Sequence, residues 1–321
     1  MLSRNDYMFK KIIIVFTNKG EKFRIQNDNL IVEDNNGEII LQSTGYRIFS
    51  LWIVGNYNIT TPLINRAKKF GYSIFLFSHS FRIIESFCIP LEGNTLLRQR
   101  QFYNENNFDI AKHFVKNKIE NQKYALRKSD LDNLILNNVN LKLDEYYNKI
   151  DSIEDDKSLL GIEGAASRLY FSTLFIGKDW KGRKPRVKHD INNCLMDLGY
   201  TLLFTYIEAL LKCFGFDSYI GVYHKIFYKR KSLVCDMIEP FRPIIDYQIV
   251  KMNNLNMIDN NDFTIRNFQV TLNYKDSKKY VGCLMKAILD NREDLFMYVQ
   301  NYYRAFMKNK NIVDFPVYKF R

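Results

Sequence analysis

The sequence predicts an α+β multidomain chain, a small β-rich N-terminal domain followed by an all-α domain, and three observations carry that prediction. Short stretches of alternating apolar and polar residues fill the first ninety positions. The segment Ile89-Pro90-Leu91-Glu92-Gly93-Asn94 then interrupts the alternation. Beyond it, apolar residues recur at helical spacing, as in Leu97, Phe102, Phe108, Ile110, Phe114 and Ile119. The expected divisions are a β-rich domain at 1–90, a linker at 91–97 and a helical domain at 98–321.

Each element has a local reason. Residues 11–16 read as the first strand, and Phe23, Ile25 and Leu30, Val32 form two more around Asn27-Asp28-Asn29. Asp34-Asn35-Asn36-Gly37 turns the chain into a strand at 38–42. Stretches 46–54, 72–77 and 82–88 bring the expected strands to seven. One helix interrupts them at 61–70, closed by Gly71 at its C-terminus. In the second part, Leu195, Leu198, Leu202, Leu203, Ile207 and Leu210 mark a buried helix. The Asn-rich stretch 253–261 and the basic run 178–188 read as surface loops.

Composition bounds the function. The 321 residues suit about two domains at roughly 100–200 residues each, and a 46% hydrophobic content with 15% aromatics supplies real cores. The longest apolar run, 12–16, is far too short to cross a bilayer, and no secretory signal opens the chain, so a cytoplasmic protein is expected. Cys88, Cys194, Cys213, Cys235 and Cys283 include no close pair, which argues against a disulfide framework or a zinc knuckle. A net charge of +12 favours a polyanionic partner.

The residues that could carry chemistry lie in three blocks. In Ser232-Leu233-Val234-Cys235-Asp236-Met237-Ile238-Glu239-Pro240-Phe241-Arg242-Pro243, the carboxylates of Asp236 and Glu239 are three apart and share one face of a helix. A lone Asp-x-x-Glu is ordinarily a solvated face; here His224 and the cations Lys225, Lys229, Arg230 and Lys231 lie just upstream. Glu163 stands between Gly161 and Gly164 in a helical segment, where each glycine costs ~1 kcal/mol relative to Ala and marks a close approach by a backbone or a ligand. Tight helix packing explains that segment as readily as an uncrowded carboxylate does. Glu163, His224 and Asp236 together offer two oxygens and one nitrogen, a set suited to Mg²⁺ or Mn²⁺. The run 178–188 carries Arg183, Lys184, Arg186 and Lys188, with Trp180 as a surface on which a base could stack.

Taken together, Gly93-Asn94-Thr95-Leu96-Leu97-Arg98, Gly161-Ile162-Glu163-Gly164, Arg183-Lys184-Pro185, Gly199-Tyr200-Thr201-Leu202-Leu203, Gly221-Val222-Tyr223-His224 and the block at 232–243 resemble the CRISPR-associated (Cas) integrase of spacer acquisition, the "Cas one" family. The resemblance runs nearly the whole length. It implies an N-terminal β-sandwich-like domain followed by an all-α catalytic domain, with Glu163, His224 and Asp236 as metal ligands and Glu239 in support. It further implies a homodimer, through 1–90, and a small ferredoxin-like second adaptation protein as partner. The expected activity is metal-dependent DNA integration and cleavage on protospacer and repeat DNA. The one visible departure is Arg186, where the family has a second proline. Two alternatives share the observations: a metal-dependent nuclease of branched DNA, and a non-catalytic architectural DNA-binding protein.

Overall fold

The computed structural model describes residues 2–17, 20–87, 94–105, 107–184 and 187–321. It divides into two compact units, one of residues 1–94 with 208–216 and the other of 95–207 with 217–321. Cys88, the segment 89–93, Pro185 and Arg186 lie outside the described residues.

The first unit opens with helix α1 (Arg4–Phe9), which starts where the Ser3 hydroxyl accepts the Asp6 N–H. Strands β1 (Lys11–Thr17), β2 (Lys22–Gln26), β3 (Asn29–Glu33), β4 (Ile39–Thr44) and β5 (Ile48–Gly55) follow, then helix α2 (Thr61–Phe70) and strands β6 (Ser73–Phe77) and β7 (Ile83–Phe87). One sheet has the order β1-β5-β6-β7, with β1 and β6 both parallel to β5 and β7 antiparallel to β6; the other is the antiparallel meander β2-β3-β4. Asn27 and Asp28 both take positive φ, 47° and 63°, the geometry of a two-residue hairpin turn. At Asp34, the carboxylate accepts the N–H groups of Asn36 and Glu38 and fixes the next turn. Helix α2 ends at Gly71, left-handed at φ 68°, and Tyr72 N–H closes on the Ala67 carbonyl. Ile13, Val15, Leu30, Val32, Leu51, Ile53, Leu63 and Ile74 join both sheets and α2 in one core.

The second unit is built on helices α3 (Thr95–Phe102), α4 (Asn107–Arg127), α5 (Asn133–Lys149), α6 (Asp156–Leu174), α7 (Ile191–Phe214, its residues from 208 on belonging to the first unit), α8 (Ser232–Ile238), α9 (Arg242–Asn254), α10 (Ser277–Asp290) and α11 (Arg292–Met307). Helix α7 is long and apolar enough to cross a membrane by length and composition, but 83% of its most apolar window is buried inside the protein. The expectation of an all-α second part is corrected by a hairpin of β8 (Phe263–Arg266) and β9 (Gln269–Leu272). Its turn places Asn267 and Phe268 at φ 49° and 60°, and Val270 N–H reaches the Lys188 carbonyl. The architecture is therefore mixed α+β in both units.

Helix α4 lies at the centre of the site-bearing unit. Its Asn117 side chain accepts the Tyr318 N–H and donates to the Tyr318 carbonyl, as a neighbouring strand would. One turn on, Asn121 accepts the Phe320 N–H and donates to both the Tyr318 and Pro240 carbonyls. The extended segment at 316–320 is thereby pinned beside the turn that carries Glu239.

Candidate active site

The stretch 221–224 wraps around the carboxylate of Asp236, which is fully buried. Its Oδ2 accepts the N–H groups of Val222 (2.7 Å) and Tyr223 (3.1 Å), and its Oδ1 accepts that of His224 (2.8 Å). Oδ1 also lies 2.6 Å from His224 Nδ1. Only glycine fits at 221, because a Cβ there would stand 2.7 Å from Asp236 Oδ2 and 2.7 Å from Ser232 Cβ. The carboxylate thus sets both the backbone of this stretch and the ring of His224, leaving Nε2 as the imidazole's outward nitrogen.

The other two acids meet around a residue the sequence did not single out. Lys118 of α4, itself buried, is ion-paired to Glu163 Oε1 of α6 and stands 2.7 Å from Glu239 Oε2. Glu239 Oε1 is 3.0 Å from the Arg242 guanidinium. Ser167, one turn beyond Glu163, donates its hydroxyl to Glu163 Oε1 at 3.0 Å. Burial alone would raise the Glu239 carboxyl, but Arg242 and Lys118 outweigh it and hold the group down at about 2. Burial likewise opposes the charge of Lys118, and Glu163 and Glu239 overcome it and raise the ammonium above its ordinary range. Arg242 was legible in principle, since it sits at i+3 from Glu239. Lys118 was not, because nothing near it in sequence distinguishes it from a lysine on a solvated helix face.

The structure brings together His224 with Asp236, and Glu163 with Glu239 through Lys118. Among the described residues, no three His, Cys, Asp or Glu side chains stand close enough to hold one metal ion. The donor chemistry nevertheless fits a divalent cation. Two carboxylates already grip a positive charge, and among the described residues the Tyr223 hydroxyl is buried without a hydrogen-bond partner. Burial, then the charges of Glu163, Glu239 and Asp236, raise the Tyr223 hydroxyl far above its ordinary range.

Gly161 and Gly164 do not mark a close backbone approach, since a Cβ at either would meet nothing within 4 Å. The face of α6 beside Glu163 is open. Trp180 is not a free platform either: its ring stacks on Phe175 at 4.6 Å and 16°. Arg183 is held within the protein by Asp197 (2.8 Å) and Asn193 (3.0 Å), while Lys184 is exposed and Lys188 half-buried. On the loop after His224, Lys225 is exposed and pairs with Asp156, and Lys229 is exposed beside the Tyr228 ring. Arg230 and Lys231 are half-buried, the former donating to the Lys225 carbonyl.

Behind the site, Asp246 of α9 is buried and accepts the hydroxyls of Tyr170 (3.2 Å) and Tyr200. Burial pushes its carboxyl up to about 6, against the opposing pull of Tyr200 and Arg242. A carboxyl raised in the fold binds its proton more tightly there than in the unfolded chain, so stability is lost as pH rises through roughly 4 to 6, by about 3 kcal/mol in all. Denaturation midpoints of the native chain and Asp246→Asn, compared across that window, are expected to move apart in the variant's favour with rising pH. A constant difference would place the carboxyl in its ordinary range.

The sequence profile described as "CRISPR associated protein Cas1" matches residues 14–286. The chain belongs to the Cas1 family. Its curated Cas1 relatives include a "CRISPR-associated endonuclease Cas1" of Methanospirillum hungatei, 26% identical over 276 residues, which are 84% of this chain and 77% of the relative. Another, of Thermodesulfovibrio yellowstonii, is 28% identical over 275 residues, 81% of this chain and 86% of the relative. Among solved structures, a Cas1 protein from Thermotoga maritima superposes with a TM-score of 0.79 at 18% identity, over 97% of this chain and all of the other. A casposase bound to its integration product gives 0.79 at 17% identity, over 97% and 96%. A chain of a Cas6-RT-Cas1–Cas2 complex gives 0.83 at 21% identity, over 98% of this chain but 36% of that longer one. At these identities the structural likeness speaks to the fold.

Proposed function

We propose that this chain is a metal-dependent DNA integrase and endonuclease of CRISPR adaptation, joining new spacer DNA to the repeat array by attack of a 3′-hydroxyl on a phosphodiester. The observation that carries the reading is the pairing of Glu163 and Glu239 around the buried Lys118, beside a His224 fixed by Asp236, in a Cas1 chain. Glu163, His224 and Asp236 would hold Mg²⁺ or Mn²⁺, with Glu239 alongside. Such an ion, when bound, polarises a phosphoryl oxygen and lowers the pKa of an attacking hydroxyl.

The chain's own contribution is placement. Asp236 orients the His224 ring through Nδ1, and the exposed Lys225 and Lys229 next to it meet phosphates without reading bases. Lys184, Lys188, Arg230 and Lys231 are the further cations assigned to phosphate contact, together with Arg186, which lies outside the described residues. In the exchange, the attacking oxygen gains a bond to phosphorus as the leaving oxygen loses one; the proton given up by the first is regained by the second. One phosphodiester replaces another, so no external energy source is required. A 3′-hydroxyl held in line gains the proximity advantage that free water lacks.

The test uses a short duplex with 3′-hydroxyl or 3′-dideoxy ends, a supercoiled plasmid carrying repeats, and Mn²⁺. Covalent joining that requires the 3′-hydroxyl is expected. Equal nicking with both ends and no joined product would favour the second reading, hydrolysis of branched DNA at the same site, which the endonuclease names of the relatives support. An architectural role leaves the buried acids without a purpose.

The relationship to Cas1–Cas2 assemblies supports a small second adaptation protein as partner. Homodimerisation through the first unit is supported by β4, an edge strand with Ile39 and Ile40 52% and 55% exposed. Light scattering at micromolar concentration should give the mass of a dimer, and a monomer mass would count against this surface.

A further inference from the structure

Lys118 occupies an unusual position. Its ammonium bridges Glu163 and Glu239, and Glu239 in turn holds Arg242. Two carboxylates and two cations balance along this chain of ion pairs, whose middle members Lys118 and Glu239 are buried, and the fully buried Asp236 adds one negative charge to the site. A divalent ion entering this site leaves one uncompensated positive charge. The balance can be restored in two ways. The ammonium can leave the carboxylates, or an anionic phosphate can arrive with the ion.

We infer that Lys118 is a resident counter-cation that makes metal binding conditional on DNA. On this inference, which rests on the reading of Glu163, His224 and Asp236 as a metal site, the free protein keeps Glu163 and Glu239 paired to Lys118 and binds metal weakly. A DNA phosphate at the site supplies the missing negative charge and frees the ammonium to turn toward it. Coupling of this kind is reciprocal, so the metal tightens DNA to the same degree. Lys118 is accordingly a positioning residue, acting on the metal through two carboxylates. The consequence is a nuclease centre that stays unloaded until its substrate is present.

The experiment measures Mn²⁺ affinity by electron paramagnetic resonance, with and without a short duplex whose 3′ ends are dideoxy, so that no chemistry intervenes. For the native chain, DNA should tighten Mn²⁺ binding. Lys118→Met and Lys118→Gln should bind Mn²⁺ at least about tenfold more tightly than the native chain in the absence of DNA, and DNA should then add little. Lys118→Arg, which keeps the charge, should behave as the native chain does. Neutral variants that fold only when Mn²⁺ is added would also support the inference, because the ion would then be replacing the ammonium.

Unchanged or weaker Mn²⁺ binding by the folded neutral variants would overturn it while leaving the metal site standing. So would neutral variants that remain unfolded with Mn²⁺, since the ammonium would then be irreplaceable. Absence of Mn²⁺ binding by the native chain even with DNA would overturn the metal reading together with the inference.

Discussion

Asp236→Asn is expected to abolish strand transfer and to weaken the fold at the same time. The two carboxylate oxygens accept three backbone N–H groups and face His224 Nδ1. An asparagine has one oxygen and one NH₂, so either orientation of its amide points donors at donors. If the NH₂ replaces Oδ2, Val222 and Tyr223 lose their acceptor; if it replaces Oδ1, the His224 backbone and ring lose theirs. A buried donor left unpaired costs about 1–3 kcal/mol, so a loss of about 2–5 kcal/mol in the stability of the second unit is expected by denaturant titration. The ring of His224 would also lose its orientation. A variant with native stability and measurable joining would show that neither role belongs to this carboxylate.

Glu163→Gln should separate chemistry from binding. The substitution keeps the shape of the side chain and an oxygen for the Ser167 hydroxyl, on a face of α6 that is open. What it removes is one negative charge at the place where a divalent ion would be held. Such an ion contributes several kcal/mol of transition-state stabilisation, so joining should fall by on the order of 10³ or more. Affinity for duplex DNA without divalent ions comes from many phosphate contacts spread over Lys and Arg, and should stay within about twofold at fixed salt. Joining at near-native rate in Mg²⁺ and Mn²⁺ would remove Glu163 from the site.

Much of the first unit was readable because its signals are local. Alternation placed seven strands, and Gly71 marked the end of α2 where the left-handed turn occurs. Helix α1 escaped although Ser3 and Asp6 have capping spacing, since six residues are too few to establish a period. The hairpin of β8 and β9 escaped for a different reason. Its turn is Asn267-Phe268, and an aromatic in a left-handed position hides the Asn-Gly pattern by which such turns are recognised. The candidate site was legible as a set of residue types, Glu163, His224, Asp236 and Glu239. Their pairing was not, because it is decided by Lys118, which lies 45 residues before Glu163 in the chain. Trp180 and Arg183 show the converse: residues that suggest a nucleic-acid surface by type are engaged by Phe175 and Asp197 in the fold.

The asparagine ladder on α4 has a consequence in time. Asn117 and Tyr318 are separated by 201 residues, and Asn121 joins the Tyr318 carbonyl to that of Pro240. At roughly 5–20 residues per second of synthesis, about 10–40 s pass between the appearance of Asn117 and that of its partner. Throughout that interval α4 can assemble with α5 and α6, but its asparagines must remain hydrated and the turn bearing Glu239 lacks its brace. A nascent chain therefore carries Glu163, His224, Asp236 and Glu239 well before it can hold them in register, and the candidate site matures only after the last strap has been made.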